Sequence, residues 1–165
     1  LEDYSQNEYK RQRYQFLRDV VGLNYKKSDK KGVMILRGAS GTDRDLLNEQ
    51  QVAEYLSGNG FEIVDISCSS VDEIIEKCRV DIVVSVEGSH LGNCIYPIND
   101  GGCIVTIQPP NRFNNVYKDY TDCMGMNYGF IVGDNKAGEP GFTVKLRDIA
   151  DILDRVEGTI YRRHV

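Results

Sequence analysis

The stretch Val80-Asp81-Ile82-Val83-Val84-Ser85-Val86-Glu87-Gly88-Ser89-His90-Leu91-Gly92-Asn93 passes from an apolar run into small and polar residues. The apolar part is typical of a β-strand buried on both faces. The polar part predicts a turn that leads directly into a short helix. Such a strand–turn–helix unit presents backbone N–H groups at the start of the helix, where anions bind well. We therefore expect a ligand site at this turn, which also holds an acidic residue and one of the chain's two histidines.

Four more apolar runs alternate with helical patterns along the chain. The predicted strands cover residues 33–36, 61–66, 80–86, 103–107 and 128–132, and the predicted helices cover 3–22, 43–57, 70–78, 89–98, 113–124 and 145–156. The strand segments are continuously apolar, which is typical of parallel strands with helices on both faces. The sequence therefore predicts an α/β fold, a Rossmann-like three-layer domain with a parallel sheet of about five strands.

Length and composition exclude several classes of protein. The 165 residues are enough for one domain with a hydrophobic core. We divide them into a leading helix and charged linker (1–31), the main domain (32–160) and a basic tail (161–165). The formal net charge of −5 argues against a nucleic-acid-binding protein. The five cysteines have no CxxC spacing, which argues against a zinc site or a disulfide framework.

The sequence gives a limited indication of location. No apolar run reaches the length of about 18 residues that a membrane span needs, and no signal peptide is recognisable. We expect a cytoplasmic protein, which other parts of a longer chain could attach to a membrane. The absence of an initiator methionine indicates a fragment of such a chain.

Two arginines flank a glycine-containing segment after the first predicted strand. Arg37 and Arg44 enclose Gly38-Ala39-Ser40-Gly41-Thr42-Asp43. Guanidinium groups and backbone amides both suit phosphate oxygens, so this segment is a candidate phosphate site. The alternative is a solvated loop in which Arg44 pairs with an acid on its own helix.

Glu49 stands out on the second predicted helix. At 100° per residue it projects onto the face formed by Leu46, Leu47, Val52, Ala53 and Leu56. A carboxylate there needs a partner, because an unpaired buried charge is costly. A loop arginine, backbone N–H groups or a ligand hydroxyl could fill that role. Ligand contact and a structural Glu–Arg pair both remain open.

Known catalytic motifs do not fit this chain. The segment after Arg37 lacks the ending of a P-loop, and neither GxGxxG nor the GxSxG nucleophile elbow is present. Asp43-Arg44-Asp45 resembles a metal–nucleotide DxD motif, but its place at a helix start favours capping. Glu87 and His90 remain as candidate acid–base groups. The alternative is a histidine that hydrogen-bonds within the turn.

Three groups of residues resemble one known family. They are the strand ending in Arg37 with Arg44 and Asn48-Glu49, the segment Gly60-Phe61-Glu62-Ile63-Val64 with its following helix and strand, and Glu87-Gly88-Ser89-His90-Leu91-Gly92-Asn93. In order and spacing they resemble the C-terminal nucleotide-sugar domain of glycosyltransferase family sixty-one, over roughly residues 33–134. The chain departs from that family at two positions. Glu87 stands where many members have histidine, and His90 stands where they have glycine.

The resemblance implies one half of a GT-B glycosyltransferase, whose active site lies between two Rossmann-like domains. The expected reaction transfers a sugar, with inversion and without a metal or other cofactor, from a nucleotide diphosphate sugar to a glycan or polysaccharide hydroxyl. Capsular polysaccharide synthesis is one such process. The missing N-terminal domain would be a partner, and the fragment would be inactive alone.

Specific roles also follow from the resemblance. Arg37 and Arg44 would hold the diphosphate, Glu49 would contact the nucleotide side, and the backbone N–H groups of Gly88 and Ser89 would donate to the leaving phosphate. Asn48 and Asn93 would be further nucleotide- or phosphate-binding residues. Glu87 and His90 depart from the family pattern, so they stay acid–base candidates on the chain's own residues, and the alternative is a catalytic base in the missing N-terminal domain. Two alternatives stay open: a non-catalytic module that binds a nucleotide or phosphorylated ligand, and a protein-interaction domain.

Overall fold

The computed structural model describes residues 7–37 and 45–162, and the side chains of these residues up to 160. Helices and strands alternate along most of the chain. In order they are α1 (Glu8–Asn24), β1 (Gly32–Leu36), α2 (Glu49–Gly58), β2 (Phe61–Asp65), α3 (Val71–Lys77), β3 (Ile82–Val86), a 3₁₀ helix (Ser89–Cys94), β4 (Cys103–Gln108), α4 (Val116–Met124), β5 (Asn127–Val132), β6 (Asp134–Asn135), β7 (Phe142–Thr143) and α5 (Leu146–Arg162). This alternation confirms the predicted α/β fold.

Five strands form one parallel sheet in the order β2-β1-β3-β4-β5. The chain begins the sheet at β1, places β2 on one side of it, and then crosses to the other side for β3. Strands β1 and β3 are therefore neighbours. The chain after β1 leads toward one edge of the sheet, and the chain after β3 leads toward the other edge. Ligands of open α/β sheets bind at the carboxyl ends of strands at such a reversal point.

The sheet separates two hydrophobic clusters, which makes the domain three-layered. One cluster joins the sheet to α2 and α5 through residues such as Leu56 and Leu153. The other joins the opposite face to α3, the 3₁₀ helix and α4 through residues such as Ile74 and Tyr120. Successive residues of β1 enter opposite clusters, with Met34 in the first and Ile35 in the second. Both faces of the three central strands β1, β3 and β4 are covered, which explains why their sequences are apolar without alternation, whereas the edge strand β5 exposes Phe130 and Val132.

Helix α1 packs on the outside of α4, and a buried arginine holds it there. Arg18 is 5% exposed and donates hydrogen bonds to the carbonyl oxygens of Ile95 and Ile98 and to the hydroxyl of Tyr120. Its guanidinium also forms an ion pair with Asp100 at 2.7 Å. The leading helix is thus attached to the main domain by charge-assisted hydrogen bonds as well as by apolar contact.

Helix α2 begins later than the sequence predicts. A helix from residue 43 was expected, but the described part of this segment is extended as far as Leu46, which forms an isolated bridge with Phe142. The N–H of Leu47 donates to the carbonyl of Phe142 at 2.8 Å. This pairing takes the backbone groups that a helix would need, so the helix starts at Glu49.

Other boundaries differ for local reasons. The predicted helix at 113–124 starts at Val116, because the residues before it fold back onto Gln108. The predicted helix at 89–98 is a 3₁₀ helix ending at Cys94. The predicted loop at 133–141 starts with β6, which pairs with β7 in a short hairpin, and α5 extends to Arg162.

Candidate functional site

The candidate site lies at the carboxyl ends of β1 and β3. Arg37 directly follows β1, and Glu87-Gly88-Ser89-His90 directly follows β3. Because β1 and β3 are paired in register, with Ile35 opposite Ser85, these two segments leave the sheet side by side. The fold therefore brings together two of the segments that the sequence predicted to bind ligand.

Arg37 and Glu49 are in contact at this edge. Arg37 is 8% exposed, and its backbone N–H donates to Oε1 of Glu49 at 3.1 Å. Glu49 is the first residue of α2 and is half-buried. The carboxylate thus receives a backbone N–H group and the nearby charge of the Arg37 guanidinium, two of the partners the sequence left open.

Burial raises the pKa of the Glu49 carboxyl above its ordinary value, and the Arg37 N–H and guanidinium only partly oppose this. The folded state therefore binds the proton more tightly than the unfolded chain does. The stabilisation linked to Glu49 is complete below the unfolded pKa and is lost as pH rises through the folded pKa.

We expect Glu49→Gln to be more stable than the wild type at pH 7, because glutamine still accepts from the Arg37 N–H without an ionised carboxylate. The difference should close at about pH 4, where the wild-type carboxyl is protonated. Denaturant unfolding at both pH values measures this. Glu54→Gln, on the exposed side of the same helix, should show no such pH-dependent gain. A Glu49→Gln variant that is less stable at pH 7 would contradict the argument.

His90 is 8% exposed and is held by a hydrogen bond that fixes its ring. Its Nε2 lies 2.7 Å from Oγ of Ser85, and the same hydroxyl donates to the carbonyl of Ile35 at 2.7 Å. A hydroxyl has one proton, and that proton is used by the Ile35 oxygen. Nε2 must therefore donate its own proton to Ser85. In the neutral ring this leaves Nδ1 as the basic nitrogen, the atom able to accept a proton.

Glu87 is 3% exposed, and its carboxylate accepts a hydrogen bond from Nδ2 of Asn114 at 2.9 Å. Asn114 is in turn fixed by Gln108, whose side chain accepts from the Asn114 N–H and donates to its carbonyl. A buried carboxylate with a positioned donor is suited to hold a defined orientation toward a ligand. Glu87 and His90 therefore lie three residues apart at one strand end, each oriented by its own hydrogen bond.

The sequence did not predict this supporting network. Gln108 is fully buried and also donates to Oγ1 of Thr106 at 3.0 Å and to the hydroxyl of Tyr128 at 3.3 Å. One signal was available, because Thr106 and Gln108 are polar residues two positions apart within an otherwise apolar run. Two buried polar residues on the same face of a strand indicate a hydrogen-bond network.

Gly88 and Ser89 form the turn between β3 and the 3₁₀ helix. The Gly88 carbonyl accepts from the hydroxyl of Tyr117 at 2.8 Å and from the N–H of Leu91. Burial raises the pKa of this tyrosine, which keeps it protonated and donating. The backbone hydrogen bonds that described residues form in turns and loops include none donated by the N–H groups of Gly88 or Ser89. Ser89 is exposed.

Two predicted site residues have other contacts. Asn48 donates to the carbonyl of Val144 at 2.8 Å and accepts from its N–H at 3.2 Å, which ties the start of α2 to the chain before α5. Asn93 donates to the carbonyl of His90 and lines an apolar groove between α1 and α3. Arg44 lies outside the described residues.

Within residues 7–37 and 45–162, no three His, Cys, Asp or Glu side chains are grouped so that they could hold a metal ion. None of the helices in those ranges is both long and apolar enough to cross a membrane.

Comparison with known proteins identifies the family. The sequence profile described as Glycosyltransferase 61 matches residues 2–105, which is more than half of the chain. The chain therefore belongs to glycosyltransferase family 61. The matched region starts before α1 and ends within β4, so it contains β1, α2 and the turn after β3.

Two solved structures are similar to this chain at low sequence identity. The lysine decarboxylase LdcF of Francisella novicida is 14% identical with a TM-score of 0.47, and the match covers 81% of this chain and 18% of the decarboxylase. A 2R,3R-butanediol dehydrogenase from Bacillus subtilis is 18% identical with a TM-score of 0.37, and the match covers 86% of this chain and 44% of the dehydrogenase. The chain thus spans less than half of either protein. No curated protein sequence matches.

Proposed function

We propose that this chain is the nucleotide-sugar-binding domain of an inverting glycosyltransferase. The observation that carries the proposal is the family match, which covers the segments that meet at the carboxyl ends of β1 and β3. Family membership implies a sugar donor and an acceptor. The geometry supports donor binding at this edge, because nucleotides bind at such reversal points in other α/β sheets.

Each residue at the edge has a role in this proposal. The Arg37 guanidinium pairs with the diphosphate, and the N–H groups of Gly88 and Ser89 donate to the phosphate oxygens of the leaving nucleotide. Both interactions stabilise the negative charge that develops as the bond between sugar and phosphate breaks. Glu49 orients Arg37 through the backbone hydrogen bond. Arg44 would add a second cation.

In this proposal, a residue of the turn after β3 accepts the proton. Either Glu87 or Nδ1 of His90 accepts the proton of the acceptor hydroxyl as that hydroxyl attacks the anomeric carbon. The hydrogen bonds from Asn114 to Glu87 and from His90 to Ser85 hold both groups in place. The acceptor is a glycan or polysaccharide, and a second Rossmann-like domain closes over the site as in a GT-B enzyme. In this proposal the reaction takes place in the cytoplasm and needs no metal.

Calorimetric titration with UDP, GDP, CMP, TDP and ADP tests donor binding. We expect saturable binding of one nucleotide, and Arg37→Ala should weaken it by about 1–3 kcal/mol, the value of a charge-assisted hydrogen bond. Alanine keeps the backbone N–H that donates a hydrogen bond to Glu49. The substitution therefore removes the side chain and its guanidinium without removing this hydrogen bond. Arg147→Ala, on the exposed face of α5, is the matched control.

The outcomes separate the alternatives. If no nucleotide binds the folded chain, the donor-binding proposal is wrong and an interaction domain is favoured. If a nucleotide binds but the full-length protein neither transfers nor hydrolyses the sugar, the chain is a non-catalytic nucleotide-binding module. Equal losses for Arg37→Ala and Arg147→Ala would place the nucleotide elsewhere.

A further inference from the structure

Two aromatic side chains are exposed near the turn that carries Glu87. Phe113 lies in the loop after β4, and Phe130 lies on the edge strand β5. They are 54% and 47% exposed, and their rings are in edge-to-face contact with centroids 5.0 Å apart. We call these two residues the aromatic pair. Large apolar side chains that cluster on a surface often mark a binding site, so the surroundings of the pair decide what it binds.

The register of the sheet places the aromatic pair on the same face as the proposed reacting groups. Thr106 of β4 is paired with Ser85 of β3 on one side and with Phe130 of β5 on the other. Paired residues project from the same face of a sheet, and neighbouring strands are about 4.8 Å apart, so Phe130 is about 10 Å from Ser85 along this row. Ser85 is the residue that orients His90. A few linked sugar rings span that distance.

The aromatic pair and Glu87 share the same supporting residues. Asn114 directly follows Phe113 in the chain and donates to the Glu87 carboxylate at 2.9 Å. Gln108 fixes Asn114 and donates to the hydroxyl of Tyr128 at 3.3 Å. The ring of this tyrosine lies 6.4 Å from the β5 member of the pair. One hydrogen-bonded network therefore positions both the carboxylate and the aromatic pair.

The strand order separates the aromatic pair from the proposed phosphate site. Arg37 follows β1, Glu87 follows β3, and the pair lies beyond β4 on β5 and its neighbouring loop. A donor whose diphosphate is held at Arg37 therefore reaches Glu87 from the β1 side. The β4–β5 side of Glu87 stays open for the second substrate, and a glycosyltransferase needs an acceptor as well as a donor.

We propose that the aromatic pair is a binding subsite for the acceptor, a chain of pyranose rings; this assignment rests on the proposed function. Many pyranose rings present C–H groups on one face, whereas their hydroxyls radiate from the ring edge. Such a face packs against an aromatic ring while the hydroxyls keep their hydrogen bonds to water. Phenylalanine has no polar atom, so the pair selects the shape of the ring rather than one pattern of hydroxyls. A nucleobase also stacks on aromatic rings, but here it would lie on the far side of Glu87 from Arg37.

Calorimetric titration with cellohexaose, xylohexaose and chitohexaose tests the subsite. We expect saturable binding of at least one of these oligosaccharides. Phe113→Leu keeps an apolar side chain but removes the ring, and it should raise the Kd about fivefold or more, the loss of one aromatic contact. Phe16→Leu is the matched control, because it makes the same substitution at an exposed phenylalanine of α1. It should leave the Kd unchanged, and equal losses in the two variants would contradict the proposal.

A tryptophan at position 113 gives a second test that does not depend on the leucine variant. The chain contains no tryptophan, so Phe113→Trp introduces a single indole fluorophore into the aromatic pair. This variant keeps an aromatic face and should bind the oligosaccharide at least as tightly as the wild type. Its emission should move to shorter wavelength as sugar covers the indole. Unchanged emission at saturating oligosaccharide would place the sugar elsewhere and overturn the proposal.

Nucleotide titration distinguishes this subsite from the donor site. Phe113→Leu should leave nucleotide affinity unchanged, and Arg37→Ala should leave oligosaccharide affinity unchanged. A nucleotide Kd that rises with Phe113→Leu would mean that the rings stack on the base, which would overturn the acceptor assignment. If a nucleotide binds and none of the oligosaccharides does, the subsite is wrong while the donor-binding proposal stands. The reverse result would support the subsite and refute donor binding.

Sedimentation velocity tests whether a second copy of the chain covers the aromatic pair instead. An edge strand such as β5 can pair with the same strand of another molecule. We expect the wild type and Phe113→Leu to sediment alike. A dimer that dissociates in Phe113→Leu would show that the pair is an interface between copies, and the acceptor subsite would be wrong.

Discussion

Replacing Arg18 with alanine should lower the free energy of unfolding by about 2–4 kcal/mol, because the substitution removes several charge-assisted hydrogen bonds at once. The guanidinium donates to Ile95, Ile98, Tyr120 and Asp100 from a position that is 5% exposed. In the alanine variant the carbonyl of Ile95 still accepts a hydrogen bond from the Tyr120 hydroxyl, whereas the carbonyl of Ile98 loses the hydrogen bond from Arg18. Asp100 stays in water, since its side chain is 82% exposed.

The same substitution should loosen α1 before the sheet unfolds. Helix α1 exposes apolar residues such as Phe16 and Leu23. Besides Arg18 it packs Tyr14 edge-on against Tyr120, with ring centroids 5.0 Å apart, so loss of Arg18 should weaken an attachment that has little buried apolar area. Hydrogen exchange over residues 8–24 measures the opening of α1, and denaturant unfolding measures global stability. Arg13→Ala, on the exposed face of the same helix, should change both by less than about 0.5 kcal/mol. Similar effects of the two variants would show that Arg18 does not anchor α1.

Arg18 also shows why sequence analysis missed part of the structure. On the sequence it belongs to a helix with many charged residues, and nothing nearby distinguishes it from Arg11 or Arg13. Its partners are 77 to 102 positions away, so its burial depends on how α1 docks against α4. Helical periodicity finds the helix but cannot select the polar residue that faces the protein.

The sheet and the position of the site were predictable for physical reasons. Strands covered on both faces are mainly apolar, and the runs that form the central strands β1, β3 and β4 show that pattern directly. Residues that follow parallel strands meet at one edge, so Arg37, Glu87 and His90 could be placed there from sequence order alone. Glu49 was found because a carboxylate on an apolar face needs a partner, and that partner is the backbone of Arg37.

The supporting residues required the folded chain. Asn114 reaches Glu87 across 27 positions, along a loop whose path is set by Gln108. Local propensity does not encode that path. Asn48 is a second example, because its side chain hydrogen-bonds the backbone of Val144, a contact 96 positions away that the sequence did not indicate, while its predicted role in ligand binding stays a prediction. Motif position identifies the neighbourhood of a residue but not the group that its side chain contacts.

Gly32→Ala should destabilise the protein by about 3 kcal/mol, the upper end of the usual cost of overpacking a core. Gly32 begins β1 and is paired with Phe61 of β2 on one side and Ile82 of β3 on the other. A Cβ at this position would lie 2.3 Å from Cε1 of Phe61 and 2.6 Å from the carbonyl oxygen of Ile82. The Phe61 ring could turn aside, but the Ile82 oxygen is part of the sheet backbone, so β1 must shift relative to β3.

That shift gives the prediction a second readout at the other end of the strand. Ser85 reaches the carbonyl of Ile35 only while β1 and β3 keep their register, and Ser85 in turn orients His90. Gly32→Ala should therefore weaken nucleotide binding as well as lower the denaturant midpoint, although residue 32 lies at the opposite end of β1 from Arg37. Gly58→Ala is the matched control, because a Cβ at Gly58 meets nothing within 4 Å. It should be neutral or stabilising by up to about 1 kcal/mol, since alanine is the better helix former. If both variants were equally stable, the close approach at Gly32 would not constrain β1, and the register argument for His90 would fail.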